Sequence, residues 1–185
     1  MMRFVVPAVM LMGVALFGHF ATLHLVPRVI MSKAMARIEA SGVNVHQFTL
    51  TPRTTPQTQT VVRPSPDLAY SICLFDLSDE QRLLVRAGLY ENYASVSFFD
   101  AYTNNFATVR VGAGGHPASG SQILLNAPGN AKLESSGFAG PQFTAPTQRG
   151  IILIRRLAPT QKAYEEVTSI AAADSCSLFP ANVDS

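Results

Sequence analysis

Charge is what this chain has least of. Only 14% of its residues are Asp, Glu, Lys or Arg, against about 25% in an ordinary soluble domain, while 48% are hydrophobic. That imbalance argues against a chain bathed in water along its whole length and for a part solvated by lipid. The net charge of +2 comes from scattered Lys and Arg, with Arg155-Arg156 the only adjacent basic pair. No basic stripe exists to neutralise a row of phosphates, so no nucleic-acid partner is expected. The two cysteines, Cys73 and Cys176, lack C-x-x-C spacing, which excludes a zinc ribbon and a thioredoxin-type motif. His46 and His116 have no His or carboxylate at metal-ligand spacing, so no metal and no cofactor are expected. Gly112-Ala-Gly-Gly115 lacks a Gly-Lys-Ser/Thr ending and reads as a flexible hairpin loop, not a phosphate loop.

What is present begins with an apolar run, Phe4 to Val26, without Asp, Glu, Lys or Arg. As a helix it covers ~35 Å, enough to cross the ~30 Å hydrocarbon core of a bilayer. Pro7 falls in the first turn, where its missing N–H costs little, and Arg28, Lys33 and Arg37 follow as headgroup-level charges. A cleaved signal peptide is the rival reading. The run exceeds the usual h-region, and the small-x-small triplet Ala34-Met35-Ala36 lies well beyond it. Residues 1–28 are therefore expected to be a retained anchor with membrane lipid as partner. Arg3 and the terminal amine nearly balance the three downstream charges, slightly favouring a cytoplasmic C-terminus. A β-rich domain with two cysteines available to pair pulls the other way. The expectation is a single-pass membrane protein with its domain outside the cytosol. His19 and His24, about 140° apart around the axis, cannot share an ion and read as tolerated imidazoles.

Residues 29–64 read as a juxtamembrane helix and a stalk. Val29–Ala40 is helix-forming, with Ile30, Ala34 and Ile38 as its apolar stripe, and Ser41-Gly42 stops it. Phe48–Pro66, rich in Thr and Pro, predicts an extended connector with an edge strand at Thr60–Arg63; a disordered linker is the rival.

Residues 65–185 read as a β-rich domain. Ala69–Leu77 is apolar on both alternating sets, Tyr70, Ile72, Leu74 and Cys73, Phe75, Leu77, as in a strand covered on both sides. A turn at Ser78–Gln81 returns into Arg82–Ala87. Further strands are predicted at Tyr93–Phe99, Phe106–Val111, Ser121–Asn126 and Gly150–Leu157, with a tight turn at Asn104-Asn105, where Asn tolerates positive φ. The stretch holding Gly137, Gly140, Pro141 and Pro146 reads as loose. Pro159-Thr160 opens a helix to about Asp174, with Tyr164, Val167 and Ala171 on the sheet-facing side. The fold class expected is mainly β, a sandwich or open-barrel-like domain with a C-terminal helix, preceded by one transmembrane helix.

Ser65–Ser78 (SPDLAYSICLFDLS), Tyr93 with Phe98–Val109 (FFDAYTNNFATV) and Thr147–Leu157 (TQRGIILIRRL) resemble the bacterial family called domain of unknown function 1254. The chain is similar to its small, single-anchor members, which also carry a C-terminal Asp-x-Cys like Asp174-Ser-Cys176. The resemblance implies a β-rich fold, membrane association and a companion from the domain of unknown function 1214 family, and no established activity. Glu80-Gln81 and Ala127-Pro128-Gly129 depart from the family's turn sequences.

Asp76, Tyr93, Asp100, Tyr102, Asn104 and Asn105, with Arg149 as an anion clamp, form the sharpest constellation. Carboxylates beside Tyr and Asn at strand ends suit a polar, sugar-like ligand, or general acid and base roles for Asp76 and Asp100. The blander reading has Asp100 and the asparagines satisfying turn donors while the tyrosines pack. No residue pair has the spacing of a nucleophile with its base. Cys73 and Cys176 would pair if the C-terminal helix folds back over the sheet. The expectation is a membrane-tethered binding or assembly module without catalytic activity; the alternative is an envelope hydrolase or isomerase using Asp76 and Asp100.

Overall fold

The computed structural model describes residues 2–55, 64–112, 122–129 and 138–179. Among them the elements run α1 (Met2–Ala40), β1 (Thr49–Leu50), β2 (Leu68–Asp76), β3 (Arg82–Arg86), β4 (Ala94–Asp100), β5 (Asn105–Arg110), β6 (Gln122–Asn126), β7 (Gln142–Thr144), β8 (Arg149–Leu157), α2 (Gln161–Ala171) and β9 (Ser175–Phe179). The fold is mainly β, in two sheets. One, antiparallel throughout, has the order β1-β2-β8-β4-β5; the other has the order β7-β6-β3-β9, parallel only between β6 and β7.

Strand alternation explains how the sheets share a core. In β2, Cys73 and Phe75 join Val96, Phe98, Ile152 and Ile154 from neighbouring strands, and together they meet Leu83, Val85, Ile123, Leu125 and Cys176 of the second sheet. The opposite face of β2 presents Leu74, which packs with Met31, Met35 and Val43 and with the half-buried Ile38, Phe99 and Ile151. The two apolar sets read in Ala69–Leu77 thus have two covers: the second sheet on one side and the end of α1 on the other.

Several expectations change. The apolar run and the juxtamembrane helix are one continuous helix, with Pro27 inside it. Its packing stripe is Met31, Met35 and Ile38; Ile30 is 56% exposed. The connector is attached to the domain from its start: the His46 N–H donates to the Leu74 carbonyl at 2.8 Å, and β1 pairs with β2. The edge strand expected at Thr60–Arg63 lies outside the described residues, as do His116, Gly137 and most of the 112–120 loop. β2 and β3 are not a hairpin. β2 already has β8 along one edge, over the full ladder from Leu68–Leu157 to Asp76–Arg149, and β1 on the other, so the chain crosses to the second sheet at Ser78–Gln81. Positive φ in the β4–β5 turn belongs to Thr103 (69°), not to Asn104 or Asn105. β1 and β7 are too short to have shown alternation, α2 ends at Ala171, before the predicted Asp174, and a strand, β9, follows it where none was expected.

α2 starts where Thr160 caps it, its hydroxyl accepting from the Ala163 N–H, and buries Val167. The Tyr164 hydroxyl donates to the Thr51 carbonyl at 2.6 Å, tying α2 to the segment after β1. Burial pushes this phenol above its ordinary value of 10.0. Its contribution to stability is therefore complete below that value and is lost as the pH rises through the raised one.

Beyond α2 the chain enters the interior. The side chains of Arg156 and Asp174 are 1% and 0% exposed and pair at 2.5 Å. The pairing is bidentate: Arg156 Nη1 reaches Asp174 Oδ2 at 2.9 Å and Nη2 reaches Oδ1. The carboxylate also accepts from Ser71 Oγ at 3.0 Å and from the Gly88 N–H at 2.8 Å, while the Gly88 carbonyl accepts from Arg156. A side chain at Gly88 would meet the Ile170 carbonyl at 2.4 Å, so only glycine lets this loop pass under α2. Two residues on, Cys176 of β9 is disulfide-bonded to Cys73 of β2, joining the sheets.

A buried ion pair with every carboxylate lone pair engaged is costly to break, because removing one partner strands the other's charge. Asp174→Asn is expected to destabilise the chain by about 3–5 kcal/mol. Arg149→Gln, at a half-exposed pair, should cost under ~1 kcal/mol. Denaturant unfolding of the full chain in detergent, followed by circular dichroism, makes the comparison.

Candidate functional site

The β4–β5 turn is built around Asp100, which is only 3% exposed. Its Oδ1 accepts from the Tyr102 and Asn104 N–H groups at 2.8 and 2.9 Å, and its Oδ2 from the Asn104 side-chain amide at 2.9 Å. The backbone closes the same turn, with Thr103 N–H to the Asp100 carbonyl and Asp100 N–H to the Asn104 carbonyl. The Thr147 hydroxyl, across on the lead into β8, accepts from the Ala101 N–H at 2.9 Å. So many fixed donors hold a β-branched Thr103 in a backbone region that such residues rarely adopt. Asn105 opens β5, its side-chain oxygen accepting from the Thr108 hydroxyl.

Asp76 and Arg149 face each other as register partners at the ends of β2 and β8. Arg149 Nε pairs with Asp76 at 3.1 Å and its Nη2 pairs with Glu39 of α1 at 2.8 Å. The Asp76 N–H donates to His46 Nε2. All three charged side chains are about half exposed. Tyr102 meets α1 further up: the Arg28 guanidinium stacks 4.5 Å from its ring centroid and donates to its hydroxyl. Tyr93 stands at the opposite end of β4, roughly 23 Å along the strand by residue rise. There its hydroxyl donates to Ser95, and Arg110 lies over its ring.

The seven predicted residues therefore fall into three places. Asp100, Asn104 and Asn105 form the turn and the strand that leaves it. Arg149 and Tyr102 meet α1, and Asp76 braces Arg149. Tyr93 lies apart. Asp76 and Asp100 flank β8 on opposite sides, and the Asp100 carboxylate is taken up by the turn. Asp76, 52% exposed, is paired with Arg149 through one oxygen. Among the described residues no three of His, Cys, Asp and Glu converge as a metal site. The partners missed by sequence reasoning are Arg28, Glu39, His46, Thr147, Arg156 and Asp174. One signal was available: at 100° per residue, positions 28, 31, 35, 38 and 39 fall within about 100° of one another on α1.

The family profile described as "Protein of unknown function (DUF1254)" matches residues 45–177, and the chain belongs to that family. No curated protein matches it. The crystal structure of the VPA0106 protein from Vibrio parahaemolyticus is similar, with a TM-score of 0.59 and 10% identity. That match covers 83% of this chain and 35% of the other. An uncharacterized protein from Burkholderia cenocepacia matches with a TM-score of 0.45 and 13% identity, over 90% of this chain and 44% of its own. At such identities the likeness concerns fold alone. This chain spans under half the length of either structure.

If Asp100 serves the turn, Asp100→Ala strands three donors and lowers stability by about 1–3 kcal/mol. Asp100→Asn, which keeps one acceptor oxygen, should lose less, and Asp76→Asn under ~1 kcal/mol. Unfolding of the three variants side by side checks the order; equal losses would contradict it.

Proposed function

Starting from membership in the DUF1254 family, we propose that this protein is a single-pass inner-membrane protein of the bacterial cell envelope. Its β-domain, a two-sheet sandwich, lies on the periplasmic side and works as a binding or assembly module without catalysis. The observation that carries this reading is where the polar side chains go. Arg149, braced by Asp76, and Tyr102 hold α1, and Asp100 and Asn104 hold a turn. In an enzyme of the hydrolase or isomerase kind both carboxylates would be free to act on a ligand, and here Asp100 is buried in its turn while the half-exposed Asp76 is paired with Arg149.

Two further observations support the placement. α1 is long and apolar enough to cross a membrane, with mean hydropathy 2.0 over its most apolar window. The Cys73–Cys176 bond favours an oxidising compartment. The partner in the assembly role is a protein of the domain of unknown function 1214 family, the companion that the family resemblance implies.

A reporter active only outside the cytoplasm, fused after Ser185 and used also as the affinity handle, tests both parts. An active fusion that recovers such a second protein from solubilised membranes is expected. A stable but silent fusion would overturn the placement, and recovery of the protein alone would overturn the assembly role.

A further inference from the structure

We propose that the β4–β5 turn, Ala101 to Asn105, rests in the lipid headgroup layer, so that the domain stands against the bilayer surface in one fixed orientation. The inference rests on the anchor reading of α1 and adds where the domain sits relative to it. The apolar run ends at Val26, and Arg28 is two residues further on. With ~35 Å of apolar helix centred on a ~30 Å core, Arg28 falls in the headgroup region, within about 6 Å of the hydrocarbon boundary. The Arg28 side chain both stacks on Tyr102 and donates to its hydroxyl, so the turn lies at that same level.

Three attachments keep α1 from swinging. They are Arg28 on Tyr102, Met31 and Met35 buried against Leu74 and its neighbours, and Glu39 on Arg149. From Arg28 to Glu39 they span ~16 Å of helix. Along that length α1 passes from the β4–β5 turn towards the ends of β8 and β2, where Arg149 and Asp76 sit. The bilayer side of the domain is therefore the side of β5, the edge strand of its sheet. Its chemistry suits a phospholipid surface. From Ala101 to Arg110 there is no acidic side chain, Arg110 is exposed, and Asp100 is buried. A tyrosine and an arginine meeting at the end of an apolar helix are the residue types that settle at a membrane interface.

The test uses the full chain in vesicles of phosphatidylethanolamine and phosphatidylglycerol, with one nitroxide at a time on Leu16→Cys, Thr103→Cys or Ser41→Cys. All three positions are exposed on the protein, and the native cysteines are bonded to each other. Relative accessibility to oxygen and to a water-soluble nickel complex reports depth. The expected result is Leu16 in the hydrocarbon core, Thr103 at phosphate level, and Ser41 in bulk water, ~20 Å further along the helix than Arg28. Leu16 in the core with Thr103 as water-exposed as Ser41 would overturn the inference and leave the anchor standing. Leu16 in water would overturn the anchor, and this inference with it.

Discussion

The interaction on which the structure depends is the enclosed pair of Arg156 and Asp174. Asp174 sits where α2 has ended and β9 has not begun, a point that α2 and β9 alone would leave loose. Its carboxylate gathers β8 through Arg156, β2 through Ser71 and the β3–β4 connection through Gly88. Two residues later the Cys73–Cys176 bond fastens β9 of one sheet to β2 of the other. Neither sheet has a ladder to the other, so apolar contact and these few cross-links set how they face. Desolvating an ion pair is expensive, and replacement by apolar groups is often as stable. Here the pair's return is a defined arrangement: four donors on one carboxylate admit a single placement of three chain segments.

The outer face of the first sheet follows from the same logic. β2, β8 and β4 carry Leu74, Ile151 and Phe99 on the side away from the shared core, and apolar residues there need a cover. α1 supplies it with Met31, Met35 and Ile38, and Val43 completes the patch. Around this dry patch the charges are arranged as brackets, Arg28 with Tyr102 at one end and Glu39 with Arg149 and Asp76 at the other. Exposed ion pairs of this kind add little energy. Their part is to fix the rotation and level of α1 on the sheet, while the buried methionines provide most of the attraction.

Much of this was legible before any coordinates. The long apolar run, the doubly apolar β2, the strands β4, β5, β6 and β8 and the start of α2 at Thr160 are all written in periodicity and capping residues. What was illegible is long-range. Arg155-Arg156 reads only as an adjacent basic pair: strand alternation sends the two to opposite faces, and nothing local says that Arg156 is the one enclosed. Asp174 reads as a helix end, since its partners lie 18, 86 and 103 positions away. The candidate site was read as one place because its residues cluster in sequence, and strand direction then separates Tyr93 from Tyr102. Strands as short as β1 and β7 have too few residues for any pattern to register, and β9 (SCSLF) is as long as β6 but mixes small polar with apolar residues, so only its partner β3 defines it.

α1 and the domain are expected to move as one body, held by side chains that would otherwise look like a binding site. The most direct measurement is the distance distribution between nitroxides at Lys33→Cys on α1 and Arg86→Cys on the second sheet, both exposed positions, in the full chain in bilayers. A single narrow distance, broadened when Arg28, Met31 and Met35 are all changed to Ala, is the predicted result. A broad distribution in the unaltered protein would contradict it.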